Sequence, residues 1–418
     1  MTAAPTPGTI PATLQEARSG SDGVMDATPH SRHAAQFNVP AAVIIGGGAA
    51  DQLVPQLERL GARCVLLVTD AFMVSAGLAG RFQAAMEAAG LAVITFADVQ
   101  PDPTDDTVRA ATKLFAAERC DAIVALGGGS PIDAAKAVAV LAVNGEPLAR
   151  FQGYHQVPRG GVSLVVIPTT SGTGSEVTKV AVITDTARDV KMMMLDRHLV
   201  PTVALVDYEL TLSMPAPLTA HVGVDTLTHG IEAFVSRKAT PLTDILALEC
   251  IRLVATHLER AWREPGDRAA REGMMRAATL GGMAFANASV ALVHGMSRPI
   301  GAVFHVPHGL SNAVLLPAVT RFSLRGAPGR YATVARAMGL ATAADGDDAA
   351  GAKLVAGLES LNARLEVPPL SGCRGVDRGR FDGVKEKMAA DALASGSPQN
   401  NPVVPTANEI VALYEEAW

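Results

Sequence analysis

The chain has 418 residues, 49% of them hydrophobic, 18% charged and only 4% aromatic, with 39 glycines; this is the composition of a folded α/β protein packed with Ala, Val and Leu. The length exceeds one ordinary core and implies two domains. A formal charge of -6 without a Lys/Arg cluster argues against nucleic acid, and four scattered cysteines argue against a disulfide framework or a thiolate zinc site, leaving a reducing cytoplasm as the expected setting.

Residues 1–35 are rich in Pro, Gly, Ser and Thr, lack the basic-then-apolar order of a secretory leader, and read as a flexible extension. From Val39 the β-type runs AAVIIGG, CVLLVTD, LAVITFADV and DAIVALGGG alternate with helical spacing at 49–60, 74–89 and 104–118. Repeated βαβ units wound right-handed give a parallel sheet, and further β-type runs follow at SLVVIP, KVAVIT, VKMMML and TVALVD. Residues 36–214 are therefore expected to form an α/β dinucleotide-binding domain. From Pro217 onward the pattern is helical, so 215–418 is expected to form an all-α domain. Within it, 277–297 carries no Asp, Glu, Lys or Arg, and reads as a buried small-residue helix in preference to a membrane span.

The run Gly127-Gly128-Gly129-Ser130-Pro131 passes from strand to helix. Bare glycines let backbone N–H groups close on an anion, Ser130 suits an N-cap and Pro131 the first helical position, so a phosphate is the natural occupant. A plain tight turn is the alternative. Thr169-Thr170-Ser171-Gly172-Thr173-Gly174 follows another β-run and offers donors to phosphate or ribose, and two such loops at successive sheet ends make a pyrophosphate crevice. Asp70 ends CVLLVTD, where it either accepts from a ribose diol, favouring NAD over NADP, or caps the next turn. Lys191 either reaches the nicotinamide ribose or is solvated, and Asp133 is a catalytic and cofactor-binding candidate or simply complements the helix dipole.

Asp225 and His229 are four residues apart and share one helix face, while His294, His305 and His308 cluster around a second helix end. A carboxylate with imidazoles suits Fe(II), Zn(II), Mn(II) or Ni(II). Isolated histidines are commonly packed core residues, but clustering in apolar text makes unpaired polar groups costly and favours ligands.

The segments GGGSPIDAAK, IPTTSGTGSEVT, GVDTLTHGIEA and VHGMSRPIGAVFHVPHGLSNAVLLP resemble the iron-containing (group III) alcohol dehydrogenase family, from about Phe37 to the end. The resemblance implies an α/β dinucleotide-binding domain followed by an all-helical metal domain. It implies metal ligands at Asp225, His229, His294 and His308. It implies NAD contacts at Asp70, Gly128, Gly129, Ser130, Asp133, Thr169, Thr170, Thr173, Thr178 and Lys191. Two positions depart from the pattern: Arg298 stands where many members carry a second His, a candidate proton relay, and Asp102 stands where members often have Asn near the cofactor.

The implied chemistry is reversible hydride transfer between NAD and a small alcohol, diol or hydroxy acid, with a divalent metal, Fe(II) or Zn(II), polarising the alcohol oxygen. Alternatives are a non-redox enzyme similar to dehydroquinate synthase, a transhydrogenase-like activity on hydroxy and oxo acids, or a non-catalytic binding protein. Permanently protonated Arg298 cannot be a general base. The proton role then falls to His305 or a water chain, with a packed turn residue as the other reading of His305. Arg298 either forms an internal salt bridge or binds a substrate anion. The expected partners are a small alcohol or aldehyde and further copies of the chain, with neither membrane nor nucleic acid.

Overall fold

The computed structural model describes residues 34–188 and 190–418, so the extension expected over 1–35 falls almost wholly outside the described residues. The strands are β1 (Ala42–Ile45), β2 (Cys64–Val68), β3 (Ala92–Phe96), β4 (Ala122–Gly127), β5 (Gly153–Tyr154), β6 (Ser163–Pro168), β7 (Val180–Asp185), β8 (Val190–Leu195) and β9 (Val203–Val206). Six of them form a parallel sheet in the order β1-β9-β6-β4-β2-β3. Its central strands are buried on both faces, with all six residues of β4 and all four of β9 inaccessible, which is why they read as continuous apolar runs.

The sheet is crossed by α1 (Leu53–Arg59), α2 (Ala71–Ser75), α3 (Leu78–Ala88), α4 (Asp105–Ala117) and α5 (Gly129–Asn144). The helix expected over 74–89 is instead two, split at Gly77 with φ 77°, and the one expected over 49–60 opens with a 3-10 turn at Ala49–Gln52. Strands β7 and β8 do not extend the main sheet. They pair antiparallel and, with β5, make a separate three-stranded sheet. Their burial alternates residue by residue, so only one face is apolar and neither suits a doubly covered sheet.

The remaining helices are α6 (Ala216–Val235), α7 (Pro241–Arg263), α8 (Arg268–Ala288), α9 (Leu292–Phe304), α10 (His308–Ser323), α11 (Pro328–Ala337), α12 (Asp347–Arg364), α13 (Arg378–Ala394) and α14 (Ala407–Glu416). Helix α6 is buried without interruption from Gly223 to Val235. Small residues admit its neighbours: a Cβ at Gly223 would meet Leu258 at 2.1 Å, and one at Gly230 would meet Ile251 at 2.9 Å.

The charge-free stretch 277–297 is not one helix. It breaks at Ser289, whose φ is 67°, and α8 and α9 meet at a bend of 102°; among the described residues no single helix is long and apolar enough to cross a membrane. The break is capped from elsewhere in the chain. Ser236 Oγ donates to Ala288 O at 2.6 Å, and Asn400 Nδ2 donates to Ser289 Oγ and Val290 O, each at 3.0 Å.

The loop between β6 and β7 joins the sheet to the helices. Thr226 Oγ1 on α6 donates to Val222 O at 2.9 Å and lies 3.2 Å from Ser171 O across the seam, and Thr279 Oγ1 on α8 donates to Glu176 Oε1 at 2.9 Å. A Cβ at Gly172 would lie 2.5 Å from Val222, and one at Gly174 would lie 2.6 Å from the Cα of Gly282. So tight is this seam that residues 36–418 form one unit. Gly174 combines a φ of 61° with a backbone-to-backbone contact. Replacing it with Ala is expected to cost about 2–4 kcal/mol in a chemical-denaturation measurement, left-handed strain adding to overpacking.

Candidate metal and cofactor site

Helix α6 carries Asp225 and His229 one turn apart on the face turned toward α9 and α10, which supply His294 and His308. The Asp225 Oδ1 atom lies 3.7 Å from His229 Nε2, 3.5 Å from His294 Nε2 and 4.0 Å from His308 Nε2. Asp225, His229 and His294 are almost fully buried, and ligand atoms of these three all lie within 4.8 Å of one another. His308 leaves 47% of its side chain open, so it faces the cleft from which a substrate would approach.

Burial opposes ionisation of Asp225, yet the surrounding imidazoles outweigh it and hold the carboxyl well below the usual carboxylate range. Burial pushes His229 down to about 4; enclosure on its inner side, with His294, His229 and Arg298 nearby, pulls His308 to about 3 despite its open edge, so both stay neutral and offer lone pairs. Burial also opposes charging of His294, but Glu232 and Asp225 overcome it and lift the ring to about 9. Glu232 is the anchor here: its Oε1 accepts from Val293 N and its Oε2 from His294 Nδ1, both at 2.6 Å. That bond turns His294 Nε2 toward Asp225, as the carboxylate behind a metal-ligating histidine does.

The donor set fits a divalent cation. One carboxylate oxygen and three imidazole nitrogens converge with no salt-bridging Lys or Arg among the described residues to neutralise them. The group that does approach them is the amide of Asn312, whose Nδ2 lies 2.7 Å from Asp225 Oδ1 and 3.2 Å from the Nε2 atoms of both His294 and His308. Its Oδ1 is buried without a partner, so this amide satisfies the cluster only in part.

The cofactor candidates assemble at the carboxyl ends of adjacent strands β2, β4 and β6. Asp70 Oδ1 caps α2 by accepting from Met73 N at 2.9 Å, while Oδ2 lies 3.4 Å from where a Gly127 Cβ would be. A Cβ at Gly128 would just touch Thr170 at 3.4 Å, whereas one at Gly129 would strike Thr173 at 2.9 Å, so the close fit of the two loops depends on glycine at 129. Thr169 N bonds Gly127 O at 3.0 Å. The helix begins earlier than expected: Gly128 is the N-cap of α5, and Ser130 and Pro131 lie in its first turn, where proline lacks only an N–H that would be free anyway.

Not every candidate has free polar atoms. Asp133 accepts from Ser175 Oγ at 2.6 Å and from Val182 N at 2.9 Å, and fully buried Lys136 donates to Ser175, Thr178 Oγ1 and Val180 O. Desolvation pulls Lys136 down to about 8 and raises Asp133. Asp133 and Thr178 thus tie α5 to β7 at the wall of the cleft. Asp102, at φ 56°, pairs with Lys191 Nζ at 2.7 Å.

A cleft of about 580 Å³ joins both sets, running from Gly129, Ser130 and Thr173 to Asp225, His229, His294 and His308. His305 caps α9 in the left-handed conformation with φ 56° and lines it, as does Arg298, which bonds Ser397 Oγ at 2.8 Å. Sequence reasoning missed Glu232 and Asn312, although three- and four-residue spacings from His229 and His308 place them on the ligand faces of α6 and α10. Tyr154, Lys179 and Lys238, also in the lining, carried no sequence signal at all.

A model of iron-containing alcohol dehydrogenase matches residues 40–208, and one of the C-terminal region of the Fe-containing alcohol dehydrogenase family matches 219–418. The chain belongs to the iron-containing alcohol dehydrogenase family. It is 39% identical over 385 residues to an NAD-dependent methanol dehydrogenase of Bacillus methanolicus, covering 91% of this chain and 99% of that one. A crystal structure of 1,3-propanediol oxidoreductase superposes with a TM-score of 0.89 at 34% identity, covering 92% of this chain and all of that one. A sulfoacetaldehyde reductase from Bifidobacterium kashiwanohense in complex with NAD+ superposes at 0.81 with 28% identity, covering 92% and 99%. Membership of the family makes this chain an oxidoreductase acting on alcohols.

Because Glu232 orients His294, Glu232→Gln is expected to weaken divalent-metal affinity tenfold to a hundredfold, roughly the loss typical of such outer partners. Chelator competition on folded protein measures it, and a melting curve confirms that the variant still folds.

Proposed function

We propose that the chain interconverts small alcohols and their aldehydes or ketones with NAD as hydride acceptor, at a metal held by Asp225, His229, His294 and His308. The observation that carries this reading is the cleft that joins the carboxylate–imidazole cluster to the glycine loop at the amino end of α5. When bound, iron(II) or another divalent metal supplies a Lewis acid for the alcohol oxygen and NAD takes the hydride. The named relatives support this choice of cofactor.

The residues divide the remaining work. The N–H groups of Gly129 and Ser130, at the start of α5, receive the pyrophosphate, with Thr169, Thr170 and Thr173 beside them. Asp70 Oδ2 accepts from a ribose diol and repels a 2′-phosphate. Asp102 and Lys191 bracket the nicotinamide end, whereas Asp133 and Thr178 position the loop through Lys136. Oxidation releases one proton from the hydroxyl as the carbon gives up its hydride. His305, whose ring has no hydrogen-bond partner among the described residues, carries that proton from the cleft to solvent. A homo-oligomer and a cytoplasmic location complete the proposal. Four cysteines without a disulfide support the second, and light scattering tests the first.

Anaerobic reconstitution with iron(II) or zinc(II), followed by NADH absorbance across short alcohols, tests the whole reading; no turnover with any metal ends it. Substituting Asp70→Ser retains a helix cap but removes the charge, and is expected to reduce the preference for NAD over NADP by at least about tenfold in kcat/KM. His305→Gln is expected to lower kcat and flatten its pH profile; an unchanged profile and rate remove His305 from the proton path.

A further inference from the structure

Arg298 lies one helical turn beyond His294 on α9, partly buried in the wall of the cleft. Its one bonded acceptor among the described residues is the neutral Ser397 Oγ, at 2.8 Å. No carboxylate pairs with it, so the internal salt bridge considered from the sequence is not formed. Glu232, the acid whose charge it feels most, spends both oxygens on Val293 N and His294 Nδ1.

The other carboxylates of the cleft are equally committed. Asp102 holds Lys191, Asp133 holds Ser175 and Val182, and Asp225 belongs to the ligand cluster. Two further cations line the same space without a carboxylate: Lys179, which makes no side-chain hydrogen bond or ion pair among the described residues, and Lys238, whose ammonium sits 5.7 Å from the Tyr154 ring. Burial and the nearby Lys238 together hold the Lys179 ammonium below its usual range. A guanidinium drawn out of water without an anion is costly, and three cations that face one cleft with no carboxylate partner, in a chain of net charge -6, are not explained by packing.

Resting on the dehydrogenase reading above, we infer that the substrate carries an anionic group, a carboxylate or sulfonate, which Arg298 binds through its fork while the hydroxyl or carbonyl faces the metal ligands. Four residues of helix, a rise of about 6 Å, separate Arg298 from His294, and both line the same cleft, which suits a small substrate with its anionic group close to its hydroxyl. Lys179 and Lys238 add field that draws such an anion into the cleft.

The test compares 3-hydroxypropanoate and 2-hydroxyethanesulfonate with neutral 1-propanol, using metal- and NAD-loaded enzyme. An acidic substrate is expected to have the higher kcat/KM, and which acid is preferred identifies the anion. Arg298→Ala is expected to lower kcat/KM for the acid about 100-fold more than for 1-propanol, mainly through KM, and added guanidinium is expected to restore the acid selectively. Preference for 1-propanol, equal losses on both substrates, or 3-hydroxypropanoate competing with NAD and not with 1-propanol each overturns the inference; the last would assign Arg298 to a cofactor phosphate. If no alcohol is oxidised, the dehydrogenase reading fails by itself. Calorimetric binding of 3-hydroxypropanoate then decides the anion site, present in the parent and lost in Arg298→Ala if the inference holds, absent from the parent if it does not.

Discussion

The loop from Thr169 to Thr178 is the constraint on which the site depends. One side fits into the glycine loop, with Thr170 and Thr173 filling the space that Gly128 and Gly129 leave. The other is fixed to the helical half, at Thr226 on α6 and at Thr279 and Gly282 on α8, the last in backbone contact with Gly174. A displacement on either side is transmitted at once, because closely packed backbone has no slack. The cofactor surface and the ligand cluster are therefore held at one spacing, and hydride transfer needs such a fixed approach.

The ligand cluster is built the same way, from rigid elements and a supporting layer. Two ligands share a face of α6, and the third is aimed by a carboxylate on that same helix, Glu232, across the junction with α9. Such a cluster of buried polar groups is costly unless something satisfies it. Asn312 does so only in part, and the remaining lone pairs suit the cation proposed above.

Much of the cleft chemistry was legible along the chain because it repeats at helical or strand spacing. Asp225 and His229, the glycine loop, and Asp70 at a strand end all stand where local periodicity puts them. Glu232 and Asn312 were equally local, one turn from a ligand, yet were passed over since Glu and Asn are ordinary on helices. Other features had no local signature. The break at Ser289 occurs in text without Gly or Pro, because its caps come from Ser236 and Asn400, more than fifty residues away. The second sheet escaped notice because strand pairing is a property of two segments, not of either alone.

By itself the sequence determined the class of fold, the parallel strands of the main sheet, the helical second half and the two segments that hold the carboxylate and the imidazoles, since each rests on periodicity or on the chemistry of a short motif. Only the tertiary structure decided that Asp133 is engaged by Ser175 and Val182, that Glu232 stands behind His294, and that Arg298 has no carboxylate partner. Whether a charged side chain is paired depends on which distant groups the fold brings within about 4 Å of it, and no local pattern records that distance.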